Sequence, residues 1–143
     1  MLSLLINYNK LRGLFYNKKM AKIIRYCVME EEHNGENVFK VHRPFPLGNP
    51  YTHIKNKETK ALVEVSTREE AIKLYEPYFE KMVLSDKDFK KEWERLIQSY
   101  YDFDEIYIGC YCRLNETCHS DIIIRKLKQY ITKQHIAKLL KNK

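Results

Sequence analysis

At 143 residues, 44% hydrophobic and 13% aromatic, the chain is long enough for one domain with a real core and too apolar for a disordered chain. Its net charge of +7 sits at the ends: residues 1–19 and 125–143 carry four and seven Lys/Arg and no acid, so the middle nets −4, which argues against a focused nucleic-acid surface. No apolar run approaches the ~18 residues that span a bilayer, so the expectation is a cytoplasmic chain with no membrane partner, its four cysteines thiols or metal ligands rather than disulfides.

Residues 1–19 form an N-terminal extension ahead of Met20. Two readings stand side by side: a dispensable leader in front of a second start, or a short helix packed through Leu4, Leu5, Leu11, Leu14 and Phe15. Residues 20–143 are expected to form a single α/β domain. Ala21 to Met29 is rich in β-branched and aromatic residues and predicts a strand. The polar stretch after it contains Asn34-Gly35, a strong turn signal, and Val38 to Arg43 predicts the return arm of a hairpin. Pro44, Pro46 and Pro50 then break regular structure through Tyr51.

Thr67-Arg68-Glu69-Glu70 is a capping box. It opens a helix with Ala71, Ile72, Tyr75, Tyr78, Phe79 and Met82 at helical spacing and with Pro77 placed to kink or split it. Ser85 to Asp88 caps a second helix with the stripe Phe89, Trp93, Leu96, Ile97 and Tyr100. The strand expected at 105–112 puts Ile106, Ile108, Cys110 and Cys112 on one side and Tyr107, Gly109 and Tyr111 on the other. Neither side is charged, as suits an interior strand. A last, basic helix runs to 143 with Ile123, Leu127, Ile131, His135 and Leu139 about a turn apart. The pattern predicts a single compact α/β domain, a small mainly parallel or mixed sheet flanked by helices in a Rossmann-like way, with an N-terminal hairpin. Cys27 is expected to be a small core residue.

The chemistry concentrates at Cys110-Tyr111-Cys112 and Cys118-His119-Ser120-Asp121, where three of the four cysteines fall within ten residues. On a strand, Cys110 and Cys112 point the same way with Cα atoms roughly 6.5 Å apart, and the intervening loop can return Cys118 and His119 over them. By residue type these four make a zinc ligand set, though the spacing lacks the usual knuckle. The other reading is a thiol pocket. Thr117 as cap puts Cys118, His119 and Ser120 in the first helical turn, where the helix dipole favours a thiolate or a bound phosphate. Cys112 or Cys118 then serves as nucleophile and His119 as acid/base, with Asp121 orienting His119 or capping locally. A third reading has the cysteines as small buried hydrophobes.

A second constellation is Arg43-Pro44-Phe45-Pro46-Leu47-Gly48-Asn49-Pro50-Tyr51. Its prolines stiffen the backbone, and Gly48 permits a tight turn with positive φ. Arg43 is a bidentate anion partner and Asn49 carries both a donor and an acceptor. With Ser120, these are the candidate ligand-binding residues.

Taken in order, Arg43 with Leu47-Gly48-Asn49-Pro50-Tyr51, Arg68-Glu69-Glu70-Ala71-Ile72, and the two cysteine motifs resemble the domain of unknown function 4326 family over about residues 38–130. The family's middle Trp is Tyr111 here, and its Gly-Lys before the strand is absent. The resemblance implies a compact α/β fold, an occurrence in bacteria and phages, and a candidate site, but no activity. No Walker loop, G-x-G-x-x-G, zinc-deaminase pattern or G-x-S-x-G elbow is present. Three functions follow as expectations. The first is a pocket for a nucleotide-like or other anionic small molecule, extended to catalysis. The second is a phage or mobile-element protein that binds a host protein or sequesters a signalling nucleotide. The third is a zinc-stabilised nucleic-acid accessory protein.

Overall fold

Two β-rich segments near the start of the chain and one further on supply a three-stranded parallel sheet. The computed structural model describes residues 20–54 and 63–141. They run β1 (Lys22–Cys27), β2 (Val38–Lys40), β3 (Tyr51–Thr52), β4 (Val63–Glu64), α1 (Arg68–Ser85), α2 (Lys87–Asp102), β5 (Glu105–Cys110) and α3 (His119–Lys141). The fold is α/β, as expected. The helix-or-leader readings of residues 1–19 lie outside the described residues, and no described helix is long and apolar enough to cross a membrane.

The expected hairpin is not formed. β1 and β2 both pair parallel with β5, in the order β1-β5-β2. β5 is apolar on both sides and so needs a partner on each edge and a cover on each face, which a terminal hairpin does not supply. The Asn34-Gly35 turn serves instead in a connection that carries the chain back past β5. Gly35, with φ at 132°, is the one residue of positive φ among those described. His33 from this connection stacks on Tyr107 at 4.2 Å and meets Tyr26 edge-on at 4.7 Å. That side of the sheet is therefore covered by loop and aromatic rings.

The opposite side carries the core. Ile106, Ile108 and Cys110 alternate inward along β5 and join Phe39 and Val41, the α2 residues Phe89, Trp93, Leu96 and Ile97, and Ile123, Leu127 and Ile131 of α3. α1 opens on the expected capping box: Thr67 Oγ1 accepts from Glu70 N–H at 3.0 Å, and the Glu70 carboxylate accepts from Ser66 N–H at 3.0 Å. Pro77 does not split the helix, which is continuous from Arg68 to Ser85. Buried Ala71, Tyr75 and Phe79 lie on both sides of the proline, and their packing outweighs a helix-interior penalty of about 3 kcal/mol. Asp86 caps α2 by accepting from Phe89 N–H at 2.9 Å.

On α3 the stripe drifts. Leu139 is half exposed and His135 exposed, while Lys138 is buried. An α-helix has 3.6 residues per turn, so a position 11 residues past Leu127 returns to the same face better than one eight past it. β3 and β4 form a separate two-stranded parallel pair against α1, hidden in the sequence behind the proline-rich segment.

Gly109 faces Tyr26 across the β1–β5 register, and a Cβ there would come within 2.5 Å of Tyr26 Cζ. Gly109→Ala is expected to cost about 1–3 kcal/mol by overpacking in urea unfolding. The cost should shrink in a Tyr26→Ala background, and an equal cost in both backgrounds refutes the contact.

Candidate functional site

Because the three strands are parallel, their carboxyl ends share one edge of the sheet, where α/β proteins place ligand sites. Cys110 is the last residue of β5 and is buried. The strand expected through residue 112 ends here, so the alternation that would have aligned Cys112 no longer applies. The backbone bends instead, and Cys112 Sγ comes to 3.9 Å from Cys110 Sγ. After the 113–117 loop, Cys118 Sγ lies 3.3 Å from Cys110 Sγ. All three sulfurs are within 4.8 Å of one another and none is in a disulfide. Cys27 stands apart as a buried β1 residue, its Sγ 3.4 Å from Tyr111 O.

Arg25 of β1 holds the loop in place. Its Nη2 donates to Arg113 O at 2.8 Å and Glu116 O at 2.7 Å, and its Nη1 donates to both carboxylate oxygens of Asp121 at 3.1 and 3.2 Å. Asp121 Oδ2 also accepts from Cys118 N–H at 3.1 Å. Its role is thus the local cap, and its carboxylate is turned to Arg25 rather than to His119. The helix starts one residue later than a Thr117 cap predicts, so Cys118 takes the cap position, and its Sγ accepts from Ser120 N–H at 3.4 Å.

His119 is buried, and its Nε2 donates to Val41 O at 2.7 Å. A carbonyl only accepts, so the proton of the neutral ring is on Nε2, and Nδ1 presents its lone pair 3.6 Å from Cys118 Sγ. Burial lowers the His119 pKa to about 4, which keeps the ring neutral at physiological pH. Among the sulfurs, S–H donation from Cys110 and Cys112 draws the Cys118 thiol down. Hydrogen bonding with Cys112 and Cys118, together with burial, pushes Cys110 up. Arg68, the first residue of α1, donates from Nη1 to Cys112 Sγ at 3.4 Å and to Thr117 O at 3.2 Å, and its Nη2 pairs with Glu116 at 3.1 Å. Burial works against its charge, but Cys112 and Glu116 outweigh that and hold its pKa above the ordinary value.

The proline-stiffened segment meets this junction. Arg43 Nη1 donates to Asn49 O at 2.7 Å and Tyr51 O at 3.3 Å, clamping the turn. Buried Asn49 spends its donor on Ala71 O at 3.0 Å and its acceptor on Tyr51 N–H at 3.0 Å. The first bond joins the turn to α1 and the second closes the turn on itself. Gly48 does not adopt the expected positive φ. Its lack of a side chain answers a close approach, since a Cβ would lie 3.0 Å from Phe45 O and 3.1 Å from Arg43 N. His42 is buried against Tyr111, with ring centroids 4.2 Å apart. Burial holds its pKa down, against the pull of its bond to Arg43 O.

Both segments line one cavity of about 290 Å³. Of the residues singled out in the sequence, Arg43, Asn49, Cys110, Cys112, Cys118 and His119 line it. Gly48, Ser120 and Asp121 do not. Ser120 is fully buried, and its hydroxyl lacks a hydrogen-bond partner of normal geometry. The sequence reading missed Arg68, His42, Tyr111 and Glu116 among the lining residues. Arg68 was visible as part of the motif that opens α1, whereas nothing in the sequence marked Glu116.

The fold and site define an α/β protein with a cysteine-lined cavity at the carboxyl edge of a parallel sheet. The model of the family described as "Domain of unknown function (DUF4326)" matches residues 27–129, more than half of the chain, and the chain belongs to that family. No curated protein and no solved structure matches it.

Because Asn49 is consumed by the fold, Asn49→Ala is expected to destabilise the ligand-free protein by about 1–3 kcal/mol, the cost of stranding buried backbone partners. Chemical denaturation without any ligand checks this, and an unchanged midpoint would return Asn49 to the ligand.

Proposed function

We propose that the cavity binds a small anionic molecule of the nucleotide type. The observation that carries this reading is the meeting of two guanidinium groups in one lining. Arg43 and Arg68 both reach it, and Glu116, the one acidic residue of the lining among the described residues, is already paired with Arg68. An arginine has five donors in a planar fork. Arg43 makes both of its carbonyl bonds through Nη1, so its remaining donors suit a phosphate or carboxylate. Tyr51, Tyr111 and His42 of the same lining give flat faces of the kind a planar base packs on. A cavity of about 290 Å³ is at the lower end of small-molecule sites, roughly 300–1,000 Å³, which favours a mononucleotide or a smaller anion over a dinucleotide.

Titration calorimetry and thermal shift with nucleoside monophosphates and inorganic phosphate test the reading. A monophosphate should raise the Tm. Arg68→Gln, which keeps a polar side chain but removes the charge, should weaken its binding about tenfold, the equivalent of one charge-assisted contact at about 1.4 kcal/mol. Equal affinity for phosphate and nucleotide removes the nucleotide part, and no binding of either removes the reading.

A further inference from the structure

We infer that Cys110, Cys112 and Cys118 form a metal site: three thiolates holding a soft divalent ion of the zinc type, with a fourth coordination position open to the cavity. The inference stands on the sulfur geometry and does not depend on the anionic ligand.

Three observations carry it. The first is distance. Sulfurs bound to one tetrahedral zinc at about 2.3 Å lie about 3.8 Å apart. Here the separations from Cys110 Sγ are 3.3 and 3.9 Å, with all three sulfurs inside 4.8 Å. Side chains from a strand end, a bend and a helix cap thus converge on a common point.

The second is the surrounding donors. Ligand sulfurs in metal sites are held by outer hydrogen bonds that also offset their charge. Arg68 Nη1 is 3.4 Å from Cys112 Sγ, and Ser120 N–H is 3.4 Å from Cys118 Sγ. A guanidinium and a helix N-terminus both favour thiolate over thiol. Three thiolates on a divalent ion carry one net negative charge, which Arg68 stands beside.

The third is the open side. All three cysteines line the cavity. His119, which residue type made the natural fourth ligand, falls outside the group of mutually close donor atoms, although its Nδ1 lies 3.6 Å from Cys118 Sγ. A closed site of four protein ligands is structural in character, whereas three protein ligands and an exchangeable fourth mark a site that meets small molecules. The placement here is of the second kind.

The test uses the full chain purified without chelator. Elemental analysis should find zinc at about one ion per chain, and a thiol reagent should then modify fewer cysteines than after chelation. Replacement with Co²⁺ should give the intense sulfur-to-cobalt absorption of a thiolate-rich tetrahedral site. Adding imidazole should shift the visible cobalt bands, because an open position admits it. Cys112→Ser, at the half-buried member of the group, should weaken Co²⁺ binding at least about tenfold while the chain stays folded by circular dichroism. Metal-free protein that also fails to take up Zn²⁺ or Co²⁺ after reduction overturns the site. Cobalt bands unmoved by imidazole overturn the open position. Because every readout uses metal alone, a chain that binds no nucleotide leaves this result intact.

Discussion

Parallel pairing on both edges of β5 is the constraint from which the site follows. The register sets Cys27 beside Cys110 and Lys40 beside Gly109, so β1, β2 and β5 end together. Whatever follows β2 and β5 must begin from that edge. After β2 comes Val41-His42-Arg43, and after β5 comes the cysteine-bearing bend. The bond from His119 Nε2 to Val41 O then joins the start of α3 to the end of β2, while Arg25 reaches from β1 to the loop between the two cysteine motifs. Each strand contributes one wall or one brace of the cavity.

The polar residues at this edge divide by what their bonds do. Asn49, Asp121, His119 and Arg25 turn their hydrogen-bonding groups on the protein itself. Each such bond contributes about 1 kcal/mol net, and stranding a buried partner costs more, so these residues set the shape. Cys112 and Arg68 are only half buried and face the cavity. Residues bonded to the protein itself, holding a smaller set turned to the cavity, are the arrangement that preorganises a binding site. Several residues whose chemistry drew attention in the sequence therefore act through others. Asp121 fixes the cap of α3, and Asn49 fixes the turn that carries Arg43.

What could be read in the sequence was whatever depends on local spacing. The capping box at Thr67, the cap at Asp86, the α2 stripe and the interior character of β5 all follow from residues within a turn or two of one another. Pairing is not local, and that is where the reading failed. Asn34-Gly35 looked like a hairpin turn because nothing nearby revealed that a strand some 70 positions away would separate the two arms. The same limit explains the site. The cysteine motif and the Arg43–Tyr51 segment were each visible, but their meeting depends on β2 and β5 being neighbours. Asn49 offered the right atoms for a ligand, and only the position of the Ala71 carbonyl shows that they are already used. Gly48 was assigned a backbone role correctly in kind, but it serves close approach rather than a positive φ.

The cysteine group and the cavity meet at one side chain. Arg68 donates to Cys112 Sγ and also lines the space a small anion would enter. With protons on the sulfurs the group resists gathering negative charge, because adjacent thiolates repel strongly in a buried setting. At the proposed metal site, a divalent ion would lift that restriction by replacing the protons. It would leave a single net negative charge spread over three sulfurs, beside Arg68. Arg68 then has two claims on it, one from the sulfurs and one from an arriving anion. Glu116 keeps the guanidinium at the boundary between them, so an anion that enters must compete with both the carboxylate and the sulfur for the same fork of donors.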